Sequence, residues 1–235
     1  MKKIFSGFVL LAGIFGAASL KAQTADEIIN KYIDAVGGKD KISQITSLYM
    51  EGTVAMMGND NPTKVFILNG KGYKTETEFN GQKMVRCYTD KSGWAVNPMA
   101  GGGAAPMPDV EYNAGKEQIY AGGPLYDYAA RGSAVTLLGK EGNAYKIKLV
   151  TKDKDESTFF IDAASYLLSK IVKKGNVMGQ EVEINIQLAD YKKTDFGFMM
   201  PFTMNTDLGQ FQLSTTITKV EVNKAVDAGV FVMPK

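Results

Sequence analysis

The apolar positions of this chain keep two different periods. After Thr24 they recur at helical spacing, with Ile28, Ile29, Tyr32, Ile33 and Val36 on one face. Thr24-Ala25-Asp26-Glu27 is a capping box: the Thr oxygen takes a backbone N–H while Glu27 reaches back. Gly37-Gly38 stops the helix, since glycine adopts the left-handed backbone that a helix C-terminus favours. A short second turn over Lys39 to Gln44 follows. From Ile45 onward the period is two. Lys74, Glu76 and Glu78 alternate with Tyr73, Thr75, Thr77 and Phe79, and Tyr145, Ile147 and Leu149 alternate with Lys146 and Lys148. Val182, Ile184, Ile186 and Leu188 alternate with Glu181, Glu183, Asn185 and Gln187. Alternation of this kind predicts an antiparallel sheet with one wet face.

Turn chemistry separates the runs at Gly58 to Pro62, Asn69-Gly70, Asn80-Gly81, Lys140 to Asn143, Asp162 to Ala164 and Gly175-Asn176. Many short strands joined this way form a meander, a sandwich or a barrel rather than a βα repeat. In the last long strand Phe211, Leu213 and Ile217 share one parity, and Val220 and Val222 the other. Such a flip predicts a β-bulge near Thr218, or a strand crossing between two apolar environments. Asn97 to Pro108, rich in Gly, Ala and Pro, reads as a mobile loop. Residues 115–131 read as helical, with Ile119, Tyr120, Leu125, Tyr126 and Tyr128 interrupted by Gly122-Gly123-Pro124. The predicted order is a helix, about five strands, a loop with short helices, then about six strands, with no linker and no internal repeat.

The first residues stand apart. Met1-Lys2-Lys3 is basic, Ile4 to Leu20 carries no charge, and a small residue, Ala22, follows. This is the order of a secretory signal, predicted to be cleaved after Ala22. The apolar run is short for a membrane span, which needs about 20 residues. No Cys lies near the cleavage point, so no lipid attachment is expected. Residues 1–22 are thus read as a signal peptide and 23–235 as one domain, acting in the periplasm. Loss of Lys2, Lys3 and Lys21, with no acid, takes the formal charge from +2 to −1. A nucleic-acid binder would show a clustered basic stripe, and this chain has none. Its single cysteine, Cys87, cannot form an internal disulfide and sits in a strand-like run, as a buried structural thiol does.

Histidine is absent. That removes the commonest general base, the commonest metal ligand and every Ser-His or Cys-His pair. Gly101-Gly102-Gly103 neither follows a clean strand nor opens a helix, so it is no phosphate cradle. Asp109, Glu111, Asp153 and Asp155 remain as candidates for carboxylate chemistry, but they lie in polar loops where solvated acids are the rule. Asp153 to Glu156 lacks the spacing of calcium loops and reads as an exposed hairpin turn. No enzyme activity, cofactor or metal is expected. What the chain has instead is soft apolar material: eleven methionines besides Met1. Methionine fills core gaps, but it also suits surfaces that accept varied apolar partners. Met99 and Met107 fall in a loop, where a lid facing lipid would explain them.

The order of motifs carries a resemblance. Ala25-Asp26-Glu27-Ile28-Ile29-Asn30-Lys31-Tyr32 opens the exported chain. Ile45-Thr46-Ser47-Leu48-Tyr49-Met50-Glu51-Gly52 and Gly93-Trp94-Ala95-Val96-Asn97-Pro98 bound the first strands. Phe160-Ile161-Asp162, Asp190-Tyr191, Gly197-Phe198-Met199-Met200-Pro201 and Val220-Glu221-Val222-Asn223 follow, with Phe231 and Pro234 at the end. In this the chain resembles LolA-like outer-membrane lipoprotein-sorting proteins, in a divergent Bacteroidetes-type form, over nearly all of residues 23–235. The resemblance implies a mainly β (α+β) fold: a strongly curved antiparallel sheet, an incomplete barrel, with an N-terminal helix and short helices over its concave face. It also implies a non-enzymatic carrier that takes acyl chains of lipoproteins or lipids through the periplasm, exchanging them with membrane-bound donor and acceptor proteins, and working as a monomer. Better-known members hold a lid closed with an arginine early in the sheet. Here Ile45 to Phe79 contains no Arg, and Arg86 is the approximate counterpart. The side chains expected to line the cavity are Tyr49, Phe66, Leu68, Val182, Ile184, Ile186, Phe211 and Leu213, with Met99, Leu125 and Tyr126 from the lid. Two other readings stay open: an envelope sensor or adaptor that binds a protein with the same half-barrel, and a carboxylate enzyme, which needs two acids facing each other in a cleft.

Overall fold

The computed structural model describes residues 23–98, 101–177 and 179–234. The stretch read as an export signal, with its expected cleavage after Ala22, and Met99 lie outside them. The chain opens with α1 (Ala25–Ala35) and α2 (Lys39–Ser43). Both halves of the capping box form: Glu27 N–H donates to Thr24 Oγ1 at 3.2 Å, and Thr24 N–H to Glu27 Oε2 at 3.1 Å. At the other end Gly38 N–H donates to Ile33 O at 2.9 Å and Gly37 N–H to Asp34 O at 3.1 Å. This paired closure suits glycine, and Gly37 and Gly38 stand at φ 131° and 87°.

Six strands follow: β1 (Ser47–Met56), β2 (Asn59–Leu68), β3 (Gly72–Phe79), β4 (Gln82–Thr89), β5 (Gly93–Val96) and β6 (Ala104–Pro106). Then come α3 (Asp109–Gly115), a 3-10 turn at Lys116–Ile119 and a run of turns to Gly132. Seven strands complete the sheet: β7 (Ala134–Glu141), β8 (Ala144–Val150), β9 (Glu156–Asp162), β10 (Leu168–Val177), β11 (Gln180–Lys193), β12 (Met199–Asp207) and β13 (Gln212–Val222), with a last 3-10 turn at Ala228–Phe231.

The strands form one antiparallel sheet in the order β6-β5-β4-β3-β2-β1-β13-β12-β11-β10-β9-β8-β7. In it β2 and β8 stand seven places apart, which in a flat sheet is about 34 Å at the usual strand spacing. Yet Ile67 of β2 and Ile147 of β8 share one buried cluster with Ile28, Ile29 and Ile33 of α1. The sheet therefore wraps around α1 and α2, and among the described residues its edges β6 and β7 do not pair. The expected incomplete barrel is present.

The bulge falls where the parity flip puts it. Glu51 pairs with Lys219 and Gly52 with Ile217, so Thr218 is the extra residue. Gly52 has a steric reason to be glycine: a Cβ there would stand 2.1 Å from the Thr216 carbonyl oxygen.

Four expectations need correction. The Gly58–Pro62 turn is only Met57-Gly58, at φ 52° and 78°, and β2 already begins at Asn59. Asn61 is buried there, its Nδ2 donating to Val54 O at 3.0 Å. Gly175-Asn176 is not a turn but part of β10, with Gly175 paired to Val182. A Cβ on Gly175 would lie 2.4 Å from Ile184 Cδ1, so glycine makes room for that side chain. The loop from Asn97 to Pro108 contains β6, which pairs with β5 as an edge strand, where Pro106 is tolerated. Residues 115–131 are not a helix; Gly122-Gly123-Pro124 breaks the run into turns, and the regular helix is the shorter α3 just before it.

Candidate functional site

Alternation along β1 and β2 separates two faces. Leu48, Met50, Val65 and Ile67 point to the helices, and Tyr49, Phe66 and Leu68 point away. The inner face divides again along the strands. At the helix end it is filled: Ile28, Ile42, Ile45, Ile147, Ile161 and Phe159 are almost fully buried, and Leu125 joins them from the turns after α3. Tyr126 packs against the same cluster.

Toward the other end the helices stop and the same face stays half-buried. Register places Val54 opposite Thr215, Thr215 opposite Met204, and Ile186 opposite Thr206 and Ile171. Val182, Ile184, Ile186 and Leu213 lie on this face, each half-buried, and Phe211 sits at the turn leading into β13. Thr75 and Thr77 of β3 and Met84 of β4 continue it on the far wall. The result is an open trough with an aliphatic wall on β10–β11 and a Thr/Met wall on β1, β3, β4 and β12.

One edge of the trough is covered by α3 and the turn that follows. Tyr88, Met107 and Ile119 form a small buried cluster beneath this cover, joined by Tyr73, Tyr112 and Tyr120. The loop methionine Met107 thus packs between cover and sheet. Polar contacts pin the cover at several points. Arg86 Nη2 lies 3.4 Å from Glu111 of α3, and Lys116 Nζ lies 2.5 Å from Asp153 in the β8–β9 turn. Tyr112 Oη donates to Thr89 O at 3.0 Å. Arg131 ties the following turns together through Pro124 O at 2.7 Å, Gly123 O at 3.1 Å and Glu117 at 3.1 Å. Tyr128 hydrogen-bonds Asp26 at the start of α1.

Two charges look into the trough. Lys173 of β10 pairs in register with Ser157 and Ile184, on the same face as Ile171. Burial, and then the charge of Arg86, hold its ammonium below the ordinary lysine range, with Asp155 acting the other way. Arg86 belongs to β4, seven places away in the sheet, so the two walls face each other closely. Asp155 Oδ2 is buried and has no hydrogen-bond partner among the described residues.

On the outer face Tyr49 and Phe66, with ring centroids 5.1 Å apart, border a hollow of about 270 Å³ closed by Lys224 to Asp227 and Val230. Leu68 packs in the neighbouring cluster of Val85, Cys87, Trp94 and Phe231. There Trp94 Nε1 donates to Phe231 O at 2.8 Å, and burial pushes the Cys87 thiol up to about 12. Of the residues expected to line a cavity, Val182, Ile184, Ile186 and Leu213 therefore come together on the trough, with Phe211 at its margin. Leu125 and Tyr126 belong to the filled end. Tyr49, Phe66 and Leu68 are a correction: they lie on the opposite face. Val54, Thr75, Thr77, Met204 and Lys173 were not foreseen, and Asp155, read from the sequence as a solvated turn acid, has a buried Oδ2. The period-two pattern of β1 and β3 could have found the first three, whereas a lone Lys in a strand gives no such signal.

Comparison with known proteins rests on shape. No protein-family model matches the chain, and no curated protein matches it in sequence. Among solved structures, a LolA superfamily protein from Nitrosomonas europaea superposes with a TM-score of 0.60 at 11% identity, covering 90% of this chain and 98% of that one. The fold is LolA-like. An outer-membrane lipoprotein-sorting protein domain from Vibrio parahaemolyticus shares it at a TM-score of 0.55 and 11% identity, covering 87% of this chain and 94% of its own. A DUF1329 family protein from Desulfovibrio piger does so at 0.57 and 13%, covering 86% and 95%. At these identities the LolA-like likeness is one of fold, and what the trough does must be argued from its residues.

Proposed function

We propose that this protein is a non-enzymatic, exported carrier that holds acyl chains of lipoproteins or lipids along the open half of its inner face and passes them toward the outer membrane. The observation that carries this reading is the half-buried strip of Val182, Ile184, Ile186 and Leu213, which no part of the described chain covers fully. Each acyl CH₂ moved from water onto such a surface contributes roughly 0.8 kcal/mol. A trough closed along one edge by a cover held through partly exposed polar contacts and a small apolar cluster can take up a chain and release it. The LolA-like fold and the sorting domain that shares it support the same reading. The sequence adds the absence of histidine.

The test is direct. Protein isolated gently from the cell envelope is extracted with organic solvent and the extract analysed by mass spectrometry. Acyl-bearing molecules at near one per protein are expected. Protein that comes out free of them, and takes up none when offered, overturns the reading. Leu138, half-exposed on the edge strand β7, favours a second reading, an adaptor that binds a protein partner along that edge. In that case a Leu138→Lys variant would lose the partner and keep any lipid.

A further inference from the structure

The trough is apolar along its length but holds two groups that an acyl chain alone leaves unanswered. Lys173 projects from β10 into the face shared with Leu149 and Ile184, and among the described residues it makes no hydrogen bond or ion pair. Asp155, at the end of the β8–β9 turn, is close enough to act on Lys173 electrostatically but forms no ion pair with it, and its buried Oδ2 stands without a partner. A half-buried, partly desolvated ammonium without a partner is costly, and a buried carboxylate oxygen without a donor more so. The other charges nearby are already engaged: Arg86 with Glu111, and Lys116 with Asp153. Two unanswered groups of opposite sign, side by side at one end of an apolar trough, are complementary to a head group that carries both signs.

Resting on the carrier reading, we infer that the trough selects a zwitterionic aminophospholipid, with the head-group phosphate on Lys173, its ammonium against Asp155 and the acyl chain along Val182, Ile184 and Ile186. The phosphate supplies the acceptor oxygens that the lysine lacks, and the ammonium N–H supplies the donor that Asp155 Oδ2 lacks. A quaternary choline head keeps the charge but has no N–H, and a glycerol-phosphate head keeps the phosphate but has no cation. Each of them answers only one of the two groups.

The experiment measures binding of chain-matched single-chain lipids to the whole exported protein by equilibrium dialysis. The probes are lysophosphatidylethanolamine, lysophosphatidylcholine, lysophosphatidylglycerol and neutral monoacylglycerol. Lysophosphatidylethanolamine is expected to bind about tenfold more tightly than monoacylglycerol, the scale of one hydrogen bond to a charged group. Lys173→Met removes a half-buried charge while keeping length, so it is expected to stay folded and to lose most of that tenfold while still binding monoacylglycerol. Asp155→Asn is expected to erase the preference for ethanolamine over choline and glycerol heads and to leave the phosphate preference intact. Equal binding of lysophosphatidylethanolamine and monoacylglycerol, or a preference undiminished in Lys173→Met, overturns the inference but not the carrier. Equal binding of all three phospholipids overturns the assignment of Asp155. If no probe binds, monoacylglycerol included, the carrier reading falls and the inference with it.

Discussion

Leu48 and Val54 sit on one strand and on one face of it, six residues apart. Leu48 is 3% exposed beneath α1 and α2, while Val54 is left half-open. The same contrast runs across the sheet, from the Phe159 and Ile147 end to the Ile184 and Met204 end. Nothing in the strands distinguishes the two ends, since both carry aliphatic residues with period two. What distinguishes them is that α1 reaches only one. A half-barrel thus spends part of its inner face on holding itself together and keeps the rest as apolar surface in reserve. A fully buried aliphatic side chain contributes about 1.5–3 kcal/mol to folding, and a half-buried one correspondingly less.

Substitution should break this symmetry of composition. Ile28→Ala, at 0% exposure in the filled end, is expected to cost about 2–5 kcal/mol, whereas Ile184→Ala in the open end is expected to cost about 1 kcal/mol or less. Urea denaturation reads both. Equal losses would mean that the open half is core and that nothing is held in reserve. Gly52→Ala probes the bulge between the two ends. Its Cβ would stand 2.1 Å from the Thr216 carbonyl oxygen, a backbone atom that cannot swing aside. A loss of about 1–3 kcal/mol is expected, as in other overpacked sites. A neutral result would show that the bulge relaxes freely.

How much of this contrast was legible in the sequence depends on the strand. The capping box, the glycine pair after α1 and the Asn80-Gly81 hairpin were readable, because each is set by chemistry within a few residues. The bulge at Thr218 was readable because a parity flip leaves a mark even when its cause lies on the partner strand. The inner face of β11 was readable because its outer face is charged. On β2 the run Val65-Phe66-Ile67-Leu68 is apolar on both faces, so alternation could not say which side meets α1. Phe66 and Leu68 belong instead to the outer cluster that Phe231 closes, a contact made across more than 160 residues. The turns after α3 misled for a related reason: Ile119, Tyr120, Leu125 and Tyr126 have helical spacing, but they are held in turns by Arg131 and by packing on Tyr88 and Ile42. Lys173 gave no local signal and Asp155 read as one solvated acid among several, since their importance comes from what does not surround them.

If the open half is the working surface, charge placed there should spare the fold and remove the cargo. Leu213→Glu puts a carboxylate on a half-exposed position, where it can stay hydrated, so a stability change within about 1 kcal/mol is expected. Acyl-bearing molecules in the envelope extract should fall severalfold. Val230→Glu, at a half-buried position of the outer-face hollow, should leave that yield unchanged, and the reverse pattern would move the working surface to the Tyr49–Phe66 hollow.

The smallest effect concerns the cover, and pH tests it. The Lys116 ammonium, hydrogen-bonded to Asp153, holds that carboxyl below its ordinary value of 3.8. A depressed carboxyl pKa means that the contact contributes fully above that ordinary value and is lost as the pH falls through the lower, folded one. Both side chains are partly exposed, at 18% and 33%, so the contribution is screened and amounts to no more than about 1 kcal/mol. That is enough to change how often the cover lifts without unfolding the sheet beneath it. Hydrogen exchange over residues 109–119, taken relative to the intrinsic rate at each pH, should therefore be slow at pH 6 and faster near pH 3. Asp153→Asn should quicken it at pH 6 and narrow the difference between the two conditions. If the variant exchanges like the parent at pH 6, the β8–β9 turn does not hold the cover, and the Tyr88, Met107 and Ile119 cluster with the Arg86–Glu111 and Tyr112–Thr89 contacts keeps that edge of the trough shut.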